Sequence, residues 1–226
     1  MSRSASRFGW GFIVMLVVAA GIAGHAIAAD AITAANVSTE QLRYTVYHSI
    51  FGNIGTYTND VQRSGDTTIV RTTAHFVVRV LGIAVRREND QRVERWLDGR
   101  LVSFVGVTRK NADATELRGE AEGNEFVINS PLGTVIAPAS VQPANPWSAR
   151  CLRSTIMMRV DDGEIEKVRV TGGSVDDLVL DGRVIPTRMY DIEGKTRYRL
   201  WFDRHNVPVK FVVDDSTGKI TFTLMR

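Results

Sequence analysis

Cysteine is almost absent from this chain, since Cys151 is the single one among 226 residues. A lone cysteine excludes an intramolecular disulfide, so stability must come from burial of apolar side chains and from strand pairing. No base lies near Cys151 in the sequence to activate its thiol. We therefore expect Cys151 to be a small buried apolar residue, with a reactive or intermolecularly paired thiol as the alternative.

Recognisable catalytic and nucleotide-binding motifs are also missing. The chain has no G-x-S-x-G motif of a serine hydrolase and no glycine-rich phosphate-binding loop. Acid pairs occur at 161–162, 176–177 and 214–215 near turn residues. Adjacent side chains of a strand point to opposite faces, so these pairs cannot flank a glycosidic bond as two catalytic carboxylates do. The sequence therefore predicts no catalytic residue and no cofactor.

The spacing of a metal site is absent as well. The three histidines beyond the first 28 residues, His48, His75 and His205, lie far apart, with no H-E-x-x-H motif and no cysteine partner. We expect no metal ligand among them. His48 falls on the apolar side of its segment, which predicts a hydrogen-bonded histidine in the core.

A strong excess of one charge is missing too. The chain carries 28 basic and 25 acidic side chains. Residues 1–28 contain Arg3 and Arg7 and no acid, so removing them lowers the basic count from 28 to 26 against 25 acids, a net charge of +1. This balance predicts no nucleic-acid partner, because such proteins concentrate positive charge.

The sequence does contain a secretory leader. Two arginines precede an apolar run over 12–24, and the small residues Ala26 and Ala28 follow, the order that signal peptidase recognises. We expect a signal peptide over residues 1–28, a periplasmic or secreted mature protein, and no membrane span after cleavage. No cysteine lies directly after the run, which excludes a lipoprotein. An uncleaved anchor is the alternative, since residues 8–24 fall only slightly short of the ~20 apolar residues of a spanning helix.

Alternation of apolar and polar residues predicts strands through most of the remaining chain. One strand is predicted to have a packed face formed by Leu42, Tyr44, Val46, His48 and Ile50. A later strand is predicted to place Val70, Thr72, Ala74, Phe76, Val78 and Val80 opposite Arg71, Thr73, His75 and Arg79. Such strands have one face in the core and one that is wet or polar.

Turn residues separate these strands at short intervals. The signals are Ser64-Gly65-Asp66, Asp98-Gly99, Gly123-Asn124, Asp162-Gly163, Asp181-Gly182, Glu193-Gly194 and Thr217-Gly218. Antiparallel neighbours need only a two-residue link, whereas parallel neighbours need a dozen or more residues, so this spacing excludes a doubly wound α/β fold. We predict a single all-β domain over residues 29–226, built on a large curved antiparallel sheet (a half-barrel or open barrel) with one short inserted helix.

A proline-rich segment interrupts the strand pattern near residues 138–153. Pro138, Pro143 and Pro146 cannot donate hydrogen bonds to a central strand ladder. Asn145 and Pro146 predict the N-cap and first position of a short helix that ends at about Arg153. We expect a crossing connection within one domain, because neither half of the chain alone would bury much core.

Two groups of side chains are candidates for ligand contact. The apolar group combines flexible thioethers with flat indoles and consists of Trp147, Met157, Met158, Met189 and Trp201. The polar group is a stripe at alternate positions of one strand, suited to an anionic head group, and consists of Arg71, His75 and Arg79. Ordinary core packing and a solvated outer face are the respective alternatives.

Three stretches of the chain carry a family resemblance. They are Tyr44-x-Val46 with Ile50-Phe51-Gly52-x-Ile54-Gly55, then Glu94-x-Trp96-x-Asp98-Gly99-Arg100-Leu101, and Leu200-Trp201-Phe202-Asp203 with Pro208-Val209-Lys210. Together they resemble a family of exported proteobacterial proteins that share a domain of unknown function, over nearly the whole mature chain. More distantly, the architecture is similar to that of the periplasmic lipoprotein carriers, whose half-barrel shelters acyl chains. Neither likeness transfers an activity or a site.

These features together predict a non-enzymatic exported protein whose curved sheet offers an apolar concavity to a hydrophobic small molecule or lipid. The alternative is an envelope interaction or structural module that pairs a sheet edge with a protein partner. That alternative requires a long, uncharged, exposed edge strand. A third interpretation is an enzyme with a site around His75 or Asp203.

Overall fold

A computed structural model of the protein describes residues 37–225. The predicted leader lies outside the described residues. Apart from one 3₁₀ helix, Ala149–Arg153, the regular structure of this part of the chain consists of strands: β1 Val37–His48, β2 Gly52–Ser64, β3 Thr67–Val80, β4 Ile83–Leu97, β5 Arg100–Lys110, β6 Asp113–Glu122, β7 Glu125–Ser130, β8 Gly133–Pro138, β9 Gln142–Pro143, β10 Ile156–Met158, β11 Ile165–Lys167, β12 Arg169–Val175, β13 Leu178–Leu180, β14 Arg183–Ile185, β15 Thr187–Glu193, β16 Arg197–Asp203, β17 Pro208–Asp215 and β18 Gly218–Leu224.

Thirteen of these strands form one large sheet. Its order is β12-β15-β16-β17-β18-β1-β2-β3-β4-β5-β6-β7-β8, and every neighbouring pair is antiparallel. The first and last strands pair in the middle, with Tyr44 opposite Leu224. Strands β12 and β8 are the edges, so the sheet is not closed into a barrel. The predicted all-β architecture with one short helix is confirmed.

The antiparallel order gives the sheet two distinct ends. We call the lower end the one at which β1, β3, β5, β7, β15 and β17 finish. Its turns lie at 49–51, 81–82, 111–112, 131–132, 194–196 and 216–217. The opposite, upper end has turns at 65–66, 98–99, 123–124 and 204–207, together with the separate β13–β14 hairpin between β12 and β15.

The segment between β8 and β12 crosses the inner face of the sheet, as its prolines predicted. Trp147 packs on Trp96 of β4, with ring centroids 5.7 Å apart. Gly163 lies against Leu117 of β6 and Ile128 of β7. This crossing segment, residues 139–168, therefore fills much of the concavity with the protein's own side chains.

The helix of the crossing segment begins later than predicted. Its N-cap is Ser148, whose hydroxyl accepts a hydrogen bond from the backbone N–H of Arg150. Asn145 was the predicted cap, but its side chain is buried and bonds to the sheet instead. Cys151 in this helix is buried, as predicted, and burial raises the pKa of its thiol to about 12.

The predicted strand faces are correct except near the ends of strands. Leu42, Tyr44, Val46 and His48 are buried on β1, as are Val70, Thr72 and Ala74 on β3. Ile50, expected in the core, is 65% exposed because it lies in the turn after β1. Val80 is likewise exposed because it is the last residue of β3 before a tight turn.

A candidate ligand cleft at the lower end of the sheet

A cleft of about 420 Å³ opens at the lower end of the sheet. Strands β1 to β5, the crossing segment and the turn between β17 and β18 all contribute to it. It is lined by His48, Phe51, Ile54, Phe76, Val78, Val85, Arg86, Glu88, Lys110, Asp161, Asp215, Ser216, Thr217 and Ile220. We call it the lower cleft.

The lower cleft combines apolar and polar lining groups. Phe51, Ile54, Phe76, Val78, Val85 and Ile220 supply the apolar surface. Phe76 is fixed by an edge-to-face contact with Phe222, at a centroid distance of 6.3 Å. The volume and this mixture of lining groups are typical of small-molecule sites, in which apolar walls surround a few polar groups.

His48 anchors one side of the lower cleft. Its Nδ1 accepts a hydrogen bond from the backbone N–H of Ile50 at 3.1 Å, so its Nε2 carries the proton and donates to the hydroxyl of Thr217 at 3.1 Å. Phe51 packs on the imidazole at 4.7 Å between ring centroids. The ring is buried and hydrogen-bonded, as the sequence predicted, and it ties β1 to the turn after β17.

Ion pairs surround the cleft. Arg86 pairs with Glu88 at 2.7 Å, and Lys110 pairs with Asp161 at 3.6 Å. Although burial acts to raise it, the pKa of Asp161 is lowered by Arg159 and Lys110, so this carboxylate is ionised near neutrality. The cations at the mouth are therefore partly neutralised by the protein itself.

A buried polar network lies farther inside the sheet, centred on Glu94 of β4 and Asn145 of the crossing segment. The amide N–H of Asn145 donates to Glu94 at 2.6 Å, and the indole N–H groups of Trp96 and Trp147 donate to its other oxygen at 3.0 and 2.9 Å. Burial raises the pKa of Glu94 to about 7, while its hydrogen bonds act in the opposite direction. Glu94 has no exposed surface, so the network positions the crossing segment and does not contact solvent.

The other half of Asn145 completes this network. Its carbonyl oxygen accepts hydrogen bonds from the hydroxyl of Tyr57 at 2.6 Å and the amide of Asn59 at 3.1 Å. Its amide N–H also donates to Thr72 at 3.1 Å, and Thr72 donates to Asn59 at 2.6 Å. All the hydrogen-bonding groups of the Asn145 side chain are therefore satisfied, which fixes the crossing segment against β2, β3 and β4.

Sequence reasoning missed this network. Strand β4 carries Asp90, Arg92, Glu94 and Trp96 on its buried face and exposes Val93 and Leu97. Hydrophobic alternation assigns such a strand the wrong way round. The available signal was the alternate spacing of Asp90, Arg92 and Glu94, which places them on one face, where Arg92 bonds to Asp90 at 2.6 Å.

The apolar candidates from the sequence do not form one site. Trp147, Met157 and Met158 are buried in the crossing segment. Met189 and Trp201 are cross-strand partners on β15 and β16. The indole N–H of Trp201 donates to Asp176 at 2.7 Å, and Lys210 lies over its ring at 4.8 Å. None of these five side chains lines the lower cleft.

The polar candidates lie outside the lower cleft as well. Arg71 and His75 are exposed on the outer face of β3, and His75 bonds to Asn89 of β4. Arg71 lines a separate depression of about 500 Å³ with Asp60 and Gln62. Arg79 is exposed near the lower end of β3, three residues after Phe76 of the lower cleft.

Among residues 37–225, no cluster of three or more histidine, cysteine or acidic side chains has the arrangement needed to hold a metal ion. Over the same residues, no helix has the length and apolar character needed to cross a membrane. Asp203 accepts hydrogen bonds from the backbone N–H groups of His205 and Val207, so a turn accounts for its position.

Comparison with solved structures supports the fold. The chain is similar to the crystal structure of a β-barrel-like protein of a domain of unknown function, DUF1849, from Brucella abortus, with a TM-score of 0.64 and 11% sequence identity. The similarity covers 83% of this chain and 96% of that one. No protein with a curated description matches the sequence. Residues 44–225 match the family described as a domain of unknown function, DUF6134, and the chain belongs to that family.

Proposed function

We propose that this protein is an exported, non-catalytic binding protein for a hydrophobic, lipid-like ligand, and that the ligand occupies the lower cleft. The observation that carries the proposal is an apolar surface in a depression of about 420 Å³ that opens beside charged side chains. Binding of an apolar ligand to such a cleft is favourable, because it removes apolar surface from water.

The polar groups at the mouth indicate how the ligand lies. Its apolar chain packs on Phe51, Ile54 and Phe76, and its head group remains near Arg86 and Lys110. Because both cations already have carboxylate partners, a head group must exchange with those partners or share them. We therefore expect a single-chain amphiphile whose affinity comes mainly from its tail.

Two variants test the site. Val78→Asp places a carboxylate inside the lower cleft, whereas Val93→Asp places the same group on the exposed side of β4. Mature protein is titrated with a naphthylamine fluorescent probe, which lauric acid or dodecylphosphocholine then displaces. We expect Val78→Asp to weaken binding about tenfold or more, because the charge must be buried beside an alkyl chain, and Val93→Asp to bind like the wild type.

Equal loss of binding in both variants, or no displaceable probe in the wild type, would contradict the proposal. Native mass spectrometry of protein purified from the envelope provides a second test, because a retained ligand adds a defined mass.

N-terminal sequencing tests export. A mature chain that begins at Ala29 or Asp30 supports the leader, and one that begins at Met1 or Ser2 contradicts it.

Pairing of a sheet edge with a protein partner is less well supported. Strand β8 is six residues long and ends at Pro138, which cannot donate to a ladder. Strand β12 begins with Arg169 and is interrupted by a bulge between Gly172 and Ser174. Short, charged or bulged edges oppose the addition of another strand.

A further inference from the structure

The β3–β4 hairpin ends in an exposed apolar tip at the lower end of the sheet. We define the hairpin tip as residues 80–85. Leu81 is 98% exposed and Ile83 is 69% exposed, and Val80 and Val85 are about half exposed. Val80 pairs with Ile83 across a two-residue turn formed by Leu81 and Gly82. Leu81 and Ile83 therefore point into solvent at the end of the hairpin.

The conformation of Leu81 is unfavourable for its residue type. Leu81 and Gly82 have φ angles of 51° and 83°, so both lie in the left-handed region that a type I′ turn requires. In the two other turns of this kind, Asp98-Gly99 and Asp181-Gly182, an aspartate occupies the position of Leu81. Aspartate and asparagine tolerate this region, whereas leucine is strained there. Because Leu81 is almost fully exposed, contacts within the described residues do not offset that strain, which indicates a role outside the folded chain.

Other turns at the lower end share this exposed apolar character. Ile50 between β1 and β2 is 65% exposed, and Leu132 between β7 and β8 is 78% exposed. The two-residue turns of the upper end are polar instead, built from Gly65-Asp66, Asp98-Gly99 and Gly123-Asn124. Three of the six lower-end turns therefore carry an exposed large apolar side chain, and none of these three upper-end turns does.

Positive charge borders the hairpin tip. Arg79, Arg86 and Arg87 flank it, and residues 79–87 contain no acid. Arg109 and Lys110 lie beside them at the end of β5. Glu88 and Asp161 neutralise Arg86 and Lys110, but Arg79, Arg87 and Arg109 make no ion pair within residues 37–225.

We propose that the lower end docks on an anionic phospholipid bilayer and inserts the hairpin tip at the depth of the head groups and upper acyl chains. The apolar side chains lie at the end of the hairpin, and the arginines lie a few residues behind them. This matches a bilayer, in which the hydrocarbon lies below a layer of phosphate groups. A protein partner would not require an almost fully exposed leucine on a strained turn. Docking in this orientation brings the mouth of the lower cleft to the lipid surface.

Vesicle flotation of the mature protein tests the proposal. Vesicles contain either equal parts of phosphatidylglycerol and phosphatidylcholine or phosphatidylcholine alone. We expect the wild type to bind the anionic vesicles more strongly and to lose binding as salt is added. Leu81→Asn should weaken this binding about tenfold, because the leucine side chain no longer enters the bilayer.

Leu81→Asn also separates docking from folding, because asparagine relieves the strained turn and should raise the melting temperature. The matched control is Val179→Asn on the separate β13–β14 hairpin, where the valine is 68% exposed. We expect that control to bind vesicles like the wild type. Arg79→Gln with Arg87→Gln should reduce the preference for anionic vesicles while leaving the apolar tip intact.

Three outcomes would overturn the proposal: no vesicle binding by the wild type, equal binding by Leu81→Asn, or equal loss in both asparagine variants. A wild-type dimer in analytical ultracentrifugation that dissociates in Leu81→Asn would assign the tip to a second copy of the chain instead. The test does not depend on the lower cleft, since Val78→Asp should lose the probe and still bind vesicles. Failure of docking and failure of ligand binding are thus distinguishable.

Discussion

At the scale of single residues, Glu94 couples stability to pH. Its folded pKa of about 7 exceeds its ordinary value of 4.5, so between these values the folded state holds a proton that the unfolded state has released. Stability therefore falls as pH rises from about 4.5 to about 7 and is level above that. The loss is about 3 kcal/mol for this one group.

Urea unfolding at pH 5 and pH 8 measures this effect, and Trp96 and Trp147 provide a local fluorescence signal because both bond to Glu94. We expect the contribution of Glu94 to the free energy of unfolding to be larger at pH 5 than at pH 8. Glu94→Gln should remove most of the difference between the two pH values, since its amide does not titrate. A variant with the same pH dependence as the wild type would assign the effect to other groups.

Sequence reasoning succeeds for residues whose position follows from alternation and fails where polar groups are buried together. The faces of β1 and β3 follow from alternating apolar residues, since one side of each strand must face the core. Glu94 and Asn145 could not be placed in this way, because their burial depends on partners more than 50 residues apart in sequence. The turn at Leu81 and Gly82 also escaped prediction, since leucine is not a turn residue.

At the scale of elements, the crossing segment depends on Asn145. Its side chain bonds to Tyr57, Asn59, Thr72 and Glu94, which belong to three different strands. Asn145→Ala leaves these buried groups without their shared partner. We expect a loss of about 3 kcal/mol in the free energy of unfolding, measured by urea denaturation.

A matched control for this prediction is Asn129→Ala on β7. Asn129 is exposed and accepts one hydrogen bond, from the hydroxyl of Thr134 at 2.7 Å. Its removal should change stability by no more than about 0.5 kcal/mol. If both substitutions cost the same, the buried network does not fix the crossing segment. Hydrogen exchange at Ala144 and Trp147, whose backbone N–H groups bond within the segment, would show whether it detaches.

The lower cleft shows why elements are easier to predict than sites. Its lining residues come from the segment β1 to β5, the crossing segment and the β17–β18 hairpin. Alternation gives no register between strands that are distant in sequence. Composition predicted that the methionines and tryptophans contact a ligand, yet Trp147, Met157 and Met158 are buried in the crossing segment. Composition predicts which side chains suit a ligand, but only packing decides which of them remain open to one.

At the scale of the whole molecule, the sheet depends on the contact between its first and last strands. Strand β18 pairs with β17 on one side and β1 on the other, and it is the link between the strands of the two halves. Its Phe222 stacks on Phe211 of β17 at 4.2 Å and contacts Tyr57 of β2 at 5.3 Å. β1 can pair locally with β2, but its pairing with β18 must await the final strand, and such long-range pairing is associated with slow folding.

Deletion of residues 218–226 removes this link and should abolish cooperative folding, because β1 and β17 both become unpaired edges. Loss of the near-ultraviolet circular dichroism signal and of a single unfolding transition would show it. A control deletion of similar length replaces residues 178–185 with a short glycine link, which the hydrogen bond from the Asp176 N–H to the Thr187 carbonyl makes geometrically feasible. That control removes only the separate β13–β14 hairpin and should keep the transition. If the first chain still unfolds cooperatively, its two halves fold without their central seam, and the single sheet is then two independent units.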